Sequence, residues 1–600
     1  MSTVIDNSGT RPRFAPWLVD PIRANKGLYG QVALAAVVIN LFSLATSLFS
    51  MTVYDRVVPN NATESLVALA ILIAIVLTAD FILKTIRAYF IDIGGARIDG
   101  QVGNAIFAKL LSMKMDSKRG STGAFAGVLR EFETLRDFFT SATLTAFVDL
   151  PFIAIFLAVI ALIGGKLVLV PLAMVPLVIG VSMATRPALD RLSGQMMKQG
   201  LSKQGVLVET VGGIETIKAA RAGPMFARRW ASSLADHSES GLRQRLVATI
   251  AMTTATSAQN LSYIGTVIFG VHLIGTGELT MGGLVACSIL SGRCVAPLAQ
   301  IAQLLTKLTS TKSAYHELNR VMTASDEVSG DPVRRRTLQG AIEFRNVTFR
   351  YAPDAPPVLD NVSFAIRPGE RVAMLGRVGS GKSTILKLVL ALRDPSDGQV
   401  LIDGVDIRQH HPDDLRGAIG AVLQEGLLFS GSVRDNIALG RQEVNDEEML
   451  RAAGLSGTHG FMANLANGYE LKLADRGEGL SGGQRQSIAI ARALAAKPSV
   501  LLMDEPTAAM DNGTEGALIG RLADEMKGRT VLVVTHRPSL LALVDRIILI
   551  ENGKVAADGP RDEVVARLRG GNQARPASTP GQVVARTAAV PAAPEQAEAQ

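Results

Sequence analysis

The sequence predicts two folds in one chain: a bundle of membrane-spanning helices followed by an α/β domain built to hold phosphate. Three observations carry this. Six long apolar runs lie before residue 306. A glycine-rich loop, Gly376-Arg377-Val378-Gly379-Ser380-Gly381-Lys382-Ser383-Thr384, sits between a strand pattern and a helix pattern. From Ala341 to about Leu568, short β-rich runs alternate with helical ones. Composition agrees, with 48% hydrophobic residues, only 19% charged and a mean hydropathy of +0.26.

Residues 1 to about 27 are polar, with Pro12, Pro16 and Pro21, and read as a cytoplasmic lead. The runs that follow are roughly 28–53, 66–83, 144–163, 167–183, 246–275 and 281–305. A span needs about 20 apolar residues, which most of them reach; the fourth is short. Six spans return the chain to the side it started from. The long connections after runs two and four carry Lys84, Arg87, Lys109, Lys114, Arg186, Arg191, Lys218, Arg228 and other basic residues. The short connections hold little beyond Arg56 and Lys166, so the long ones are placed in the cytoplasm, with the phosphate loop. The long connections are helical in pattern and are expected to extend the spans outward. Each has a bend where a crosswise helix could meet a nucleotide domain, at 116–125 and 209–222. The domain layout expected is therefore a lead (1–27), a six-span region (28–310), a linker (311–340), an ATPase domain (341–569) and a disordered tail (570–600) rich in Ala, Pro, Gln and Thr.

Net charge is +7 with pI near 9.4. A basic balance suits nucleic acid or a membrane protein with basic loops. A soluble ATPase acting on DNA or ribosomes would explain the charge but not six apolar runs, so no nucleic-acid partner is expected. Cys287 and Cys294 share one apolar segment and read as small core residues. Arg293 lies inside the sixth run, with Asp80 and Asp149 in or near the second and third. Two readings stay open: Arg293 lines a polar path, or it pairs with an Asp between helices or reaches to the interface as an end residue.

The phosphate loop follows the apolar strand Arg371–Leu375 and precedes Ile385–Leu390. Its glycines let backbone N–H groups turn toward an anion, and the helix start adds its positive end. Lys382 is placed to reach the β- and γ-phosphates of ATP, and the Ser383 hydroxyl to bind Mg²⁺. The strand Val500–Met503 ends in Asp504 and Glu505. Asp504 is expected to hold Mg²⁺, and Glu505 to act as general base toward water. Ser481-Gly482-Gly483-Gln484 before a helix makes a second anion site. One domain has no use for two clamps, but two copies facing head to tail would use both.

Leu480–Gln484, together with the loop and the Asp-Glu pair, resembles the signature motif of the ABC transporter family. The resemblance runs from about residue 28 to 568. It implies an α-helical transmembrane domain of six spans, of ABC exporter type, fused to an α/β P-loop nucleotide-binding domain. It also implies that Tyr351 stacks on adenine, that Gln424 links Mg²⁺ and water to the membrane part, and that His536, after Thr535, contacts the γ-phosphate. Asp475 stands where exporters usually have Glu. Ala508-Ala509-Met510-Asp511 stands where the family commonly has Ser-Ala-Leu-Asp, so of these only Asp511 carries over to the nucleotide site. Val53–Asn60, Asp149-Leu150-Pro151-Phe152 and Glu505–Asp511 are similar to type I secretion ATPases. That branch implies a homodimer in the bacterial inner membrane, a periplasmic adaptor, an outer-membrane channel and a secreted polypeptide. About 27 residues before the first span leave no room for the peptidase-like domain some members carry, so leader cleavage is not expected. An ABC exporter of lipids, drugs or small peptides would share every ATP motif.

Overall fold

Long unbroken helices dominate the first half: apolar stretches run straight into amphipathic ones, and Gly94-Gly95, Pro176 and Pro187 are carried inside helices rather than ending them. The computed structural model describes residues 15–117, 127, 131–136, 138, 143–328, 330–335, 337–424, 426–465 and 467–570. It divides into two compact units, Met1–Glu327 and Val328–Gln600.

In the first unit, α1 (Pro16–Ala24) opens with Pro16 at its first position, where a missing N–H costs nothing. The lead thus contains a folded helix. Leu18 is buried with Ile98, Val102, Ile106 and Leu318. Trp17 stacks on Tyr315 with centroids 5.9 Å apart, and its Nε1 donates to Asn319 at 3.1 Å. Next come α2 (Lys26–Thr52), α3 (Thr63–Ser112), α4 (Thr143–Gly164), α5 (Leu169–Gly212), a short α6 (Ile214–Ala219), α7 (Gly223–Gly275) and α8 (Met281–Met322). At 50 residues α3 is about 75 Å long, well over twice the hydrocarbon thickness. The bend expected at 209–222 holds α6; residues 118–125 of the other bend, and the tail from 571, lie outside the described residues.

Among the described residues, four stretches are long and apolar enough to cross a membrane: 26–60, 63–112, 149–212 (which takes in α4 from Asp149 on and all of α5) and 281–298. The fifth run, on α7, does not reach that hydropathy. Gln259, Ser262 and Thr266 interrupt it, and Ser262 and Thr266 are buried against Ser291 of α8, with oxygens 2.7 and 3.1 Å away. The hydroxyls of Ser262 and Thr266 are thus satisfied inside the bundle.

Between α2 and α3 the motif at 53–60 winds a π-turn, Val53–Val57. Asp55 points from it to the start of α8, accepting the Gly282 N–H and the Thr280 hydroxyl, each at 2.7 Å. The approach is close: a Cβ on Gly282 would lie 2.4 Å from the Met51 carbonyl oxygen. Asp149 accepts from Asn40 at 2.7 Å, and Asp80 pairs with Lys84 at 2.6 Å, so neither is the partner of Arg293. Cys287 and Cys294 are buried and unbridged.

The second unit holds β1 (Ile342–Phe349), β2 (Leu359–Ile366), β3 (Arg371–Leu375), α9 (Lys382–Val389), β4 (Asp397–Ile402), β5 (Val405–Asp406), β6 (Ile419–Val422), β7 (Gly431–Ser432) and β8 (Lys472–Leu473). After them come α10 (Gly482–Ala495), β9 (Val500–Asp504), α11 (Asn512–Glu525), β10 (Thr530–Val534), β11 (Arg546–Glu551), β12 (Lys554–Pro560) and α12 (Arg561–Gly570), with several short helices between Pro412 and Met462. An antiparallel sheet has order β2-β1-β4-β5. A larger one runs β12-β11-β3-β10-β9-β6, parallel except at β12. Strands β9 and β10 are buried at every residue, as parallel strands covered on both faces must be. Their alternation splits the core: Leu501, Met503, Val531 and Val533 face one cluster, Val500, Leu502, Leu532 and Val534 the other.

Candidate functional site

Strand register gathers the site. Val534 pairs with Asp504 and with Met374, and Val422 pairs with Met503. The carboxyl ends of β3, β10, β9 and β6 therefore lie side by side. From them spring the glycine loop, Thr535-His536, Asp504-Glu505 and Leu423-Gln424 respectively. The crevice beyond strand carboxyl ends is where open parallel sheets bind ligands.

The loop from Gly376 turns tightly enough to need its glycines. Gly376 has φ +151, and a Cβ there would lie 2.1 Å from the Ile550 carbonyl oxygen. Gly381 has φ +100, with Leu359 Cδ2 at 2.6 Å from its would-be Cβ. Lys382, Ser383 and Thr384 form the first turn of α9. Lys382 is 6% exposed, and its ammonium donates to the carbonyls of Gly376 at 2.7 Å and Arg377 at 2.8 Å. Burial pulls its pKa down, against the pull of Glu505 and Asp504. Burial likewise pushes Asp504 up, opposed by a hydrogen bond from Ser383. Val378 is 92% exposed, and Gly379 has φ +82, so this tip of the loop is open.

Glu505 is left-handed at φ +48, with its N–H on the Val534 carbonyl at 2.9 Å. A non-glycine residue in that region marks a held geometry. Its carboxylate lies 3.6 Å from His536 Nε2. Its carbonyl accepts from Gln486 Nε2 at 2.8 Å, and Gln486 Oε1 accepts the Ala509 N–H at 3.0 Å. Gln424 is exposed, two residues past β6. Tyr351 is 49% exposed, its hydroxyl 3.1 Å from Thr384 Oγ1 and its ring edge-on to Phe349.

Ser481 caps α10. Its hydroxyl accepts the Gln484 N–H at 3.2 Å, and the Gln484 side chain accepts the Ser481 N–H at 2.9 Å. That reciprocal box gives Gln484 a structural job and leaves Gly482 and Gly483 as the first helical turn. Asp511 caps α11 through the N–H groups of Gly513 and Thr514, both at 2.9 Å. Ser481, Gly482, Gly483, Gln484 and Asp511 line one open cavity of about 640 Å³ that contains no residue of the loop 376–384. Asp475 lies in a short turn, 475–477, ahead of the signature.

Sequence reasoning missed Gln486, Arg537 and Glu515. Arg537 donates to the carbonyls of Ala508 and Met510, each at 3.2 Å, and to Glu515, which also accepts from Ser539. Burial works against the Glu515 charge, but these donors carry its pKa below the usual glutamate value. Gln486 sits two residues past the signature and Arg537 beside His536; adjacency was the only signal they offered.

Two family descriptions match this chain: "ABC transporter transmembrane region" over residues 30–298 and "ABC transporter" over 359–508. The cyclolysin secretion/processing ATP-binding protein CyaB of Bordetella pertussis is 37% identical over 92% of this chain and 77% of its own length. The chain belongs to the ABC transporter family. Within that family it sits in the type I secretion branch. The toxin RTX-I translocation ATP-binding protein of Actinobacillus pleuropneumoniae is 35% identical and the alpha-hemolysin translocation ATP-binding protein HlyB of Escherichia coli 34%, each over 92% of this chain and 78% of theirs. A bacterial Atm1-family ABC exporter solved with ATP bound superposes with a TM-score of 0.82, over 93% of this chain and all of that one. At 24% identity that likeness speaks to the fold, a helical transmembrane region fused to an ABC nucleotide-binding domain. This ABC transporter is an ATP hydrolase coupled to export.

Proposed function

We propose that this ABC transporter is the inner-membrane engine of a type I secretion system. It moves a polypeptide out of the cytoplasm through six spans per chain, working as a homodimer with a periplasmic adaptor and an outer-membrane channel. The observation that carries this reading is the near full-length match to relatives named for secretion or translocation of protein toxins. The bilayer assignment rests on the four apolar stretches, together with α7, whose Ser262 and Thr266 hydroxyls are met inside the bundle.

At the nucleotide, Gly376–Thr384 cradles the phosphates through backbone N–H groups, with Lys382 as the cation and Tyr351 against adenine. Ser383 and Asp504 are close enough to share a hydrogen bond and offer hard oxygens, with Gln424 available as a third. That set fits Mg²⁺, which takes few protein oxygens and keeps waters. Bound there, Mg²⁺ would neutralise charge on the phosphate oxygens. Glu505 accepts the proton of the attacking water, and His536 faces both the carboxylate and the γ-phosphate position. The signature cavity has no loop residue in its lining, which supports a second copy completing each site with its Ser481, Gly482, Gly483 and Asp511. ATP between the copies would close the nucleotide domains, and hydrolysis would reopen them.

Deleting the gene and comparing secreted proteins tests the reading. A large polypeptide should vanish from the medium. Unchanged secretion, with altered lipid or drug export instead, would move the chain to another exporter class.

A further inference from the structure

Helix α8 is packed by α2, α4, α5 and α7, and most of its apolar span is buried. One stripe stays open: Val285, Ile289, Gly292, Arg293 and Ala296 are half-buried or exposed, while Leu290, Ser291, Cys294 and Val295 are fully covered. The spacing of four, three and one to three residues keeps the stripe on one helix face. Arg293 is its exposed member, twelve residues and so about 18 Å along the helix from Met281. Among the described residues no carboxylate pairs with it; Asp149 is held by Asn40 and Asp80 by Lys84. A guanidinium at that depth is too costly to leave in lipid. The stripe therefore meets water, a ligand or the second copy of the proposed dimer. Fourteen residues further on, Lys307 is also exposed and without an ion pair among the described residues. Fourteen residues at 100° each return to within about 40° of the same direction, so in a continuous helix that carries Pro297 between them Arg293 and Lys307 lie on the same side, about 21 Å apart.

We propose that Arg293 and Lys307 form a cationic track that binds carboxylates of the polypeptide as it crosses, an inference that rests on the export reading above. One cation at span depth, with a second about 39 Å from Met281 and so past the hydrocarbon, suits an extended chain that leaves the span along this helix. About 21 Å is the reach of roughly six extended residues, so an acidic side chain every six or so would touch both positions at once. A carboxylate is the ligand that matches an arginine fork, and a basic segment would be repelled.

The test uses the full-length protein in lipid vesicles and a fluorescent polyglutamate peptide of about 20 residues, with polylysine as control. Wild type should bind polyglutamate and not polylysine. Arg293→Gln with Lys307→Gln should weaken binding by about tenfold or more, and Arg293→Lys should keep most of it. Unchanged affinity in the double glutamine variant, or no binding by wild type, would overturn the track. A second measurement stands apart from folding defects. Arg293→Cys should react with a membrane-impermeant maleimide, against the low background of the fully buried Cys287 and Cys294. A thiol at 293 that stays inert both with and without ATP shows a face closed by protein or lipid, and the proposal falls. These outcomes are separate from the gene deletion: a chain that secretes a polypeptide yet ignores polyglutamate keeps its function and loses its acidic track.

Discussion

At the scale of single residues, Glu505 has the most constrained surroundings. Its backbone is left-handed, fastened by Val534 on one side and Gln486 on the other, and its carboxylate faces His536. Glu505→Gln keeps that geometry and removes the base. ATP binding should survive and turnover should fall by about a hundredfold or more, read as phosphate release beside retention of a fluorescent nucleotide. A variant that turns over at the wild-type rate removes Glu505 from the role of base. Glu515 makes a different prediction. Its folded pKa lies below its ordinary 4.5, so its stabilising contribution is full above that value and fades as pH falls through the lowered one. Glu515→Gln removes the charged partner of Arg537, which keeps its carbonyl acceptors and is a third exposed, and should cost about 1–2 kcal/mol at neutral pH. The gap between variant and wild type should narrow at acid pH, where wild type also loses the charge; thermal unfolding of the full chain at two pH values checks this. The loop, Asp504, Glu505 and His536 were legible because each follows an apolar strand in a recognisable pattern. Gln486 and Arg537 were not, because their partners lie 19 to 29 residues away and only the folded turns bring them close.

At the scale of elements, the hydrophobic period located the long helices and hid two things. The fifth run fell short of span hydropathy, because Ser262 and Thr266 find hydroxyl partners on α8 that no local pattern reveals. The lead appeared merely polar. Its helix is amphipathic over only 9 residues and depends on Leu18 and Trp17 finding α3 and α8. The motif at 53–60, read as a mark of kinship, turned out to have a local physical task. Asp55 satisfies two donors at the start of α8, the helix that carries Arg293. Asp55→Ala should cost about 1–2 kcal/mol and lower the thermal midpoint of the detergent-solubilised protein. Asp55→Asn, which still accepts hydrogen bonds, should recover most of it. Equal losses in both variants would show that the cap is not what Asp55 provides.

At the scale of the molecule, the sequence changes period near residue 341, while the chain divides into compact units between Glu327 and Val328. The proposed homodimer makes a prediction no monomer can imitate. If each ATP site takes Lys382 from one copy and Ser481 from the other, placing Lys382→Ala and Ser481→Arg on different chains leaves one intact site per mixed dimer. Placing both on one chain beside a wild-type partner ruins both sites. Phosphate release from purified mixed dimers should be near half of normal in the first arrangement and near background in the second. Equal rates would dismiss shared sites. The seat of α1 has a practical consequence for anyone trimming this chain. Tyr315 receives the Ala15 N–H at 2.8 Å, so truncation beyond residue 14 takes a peg out of the foot of α8. Shortened versions should lose heat tolerance in detergent well before the first span is reached, and an affinity handle belongs upstream of that peg.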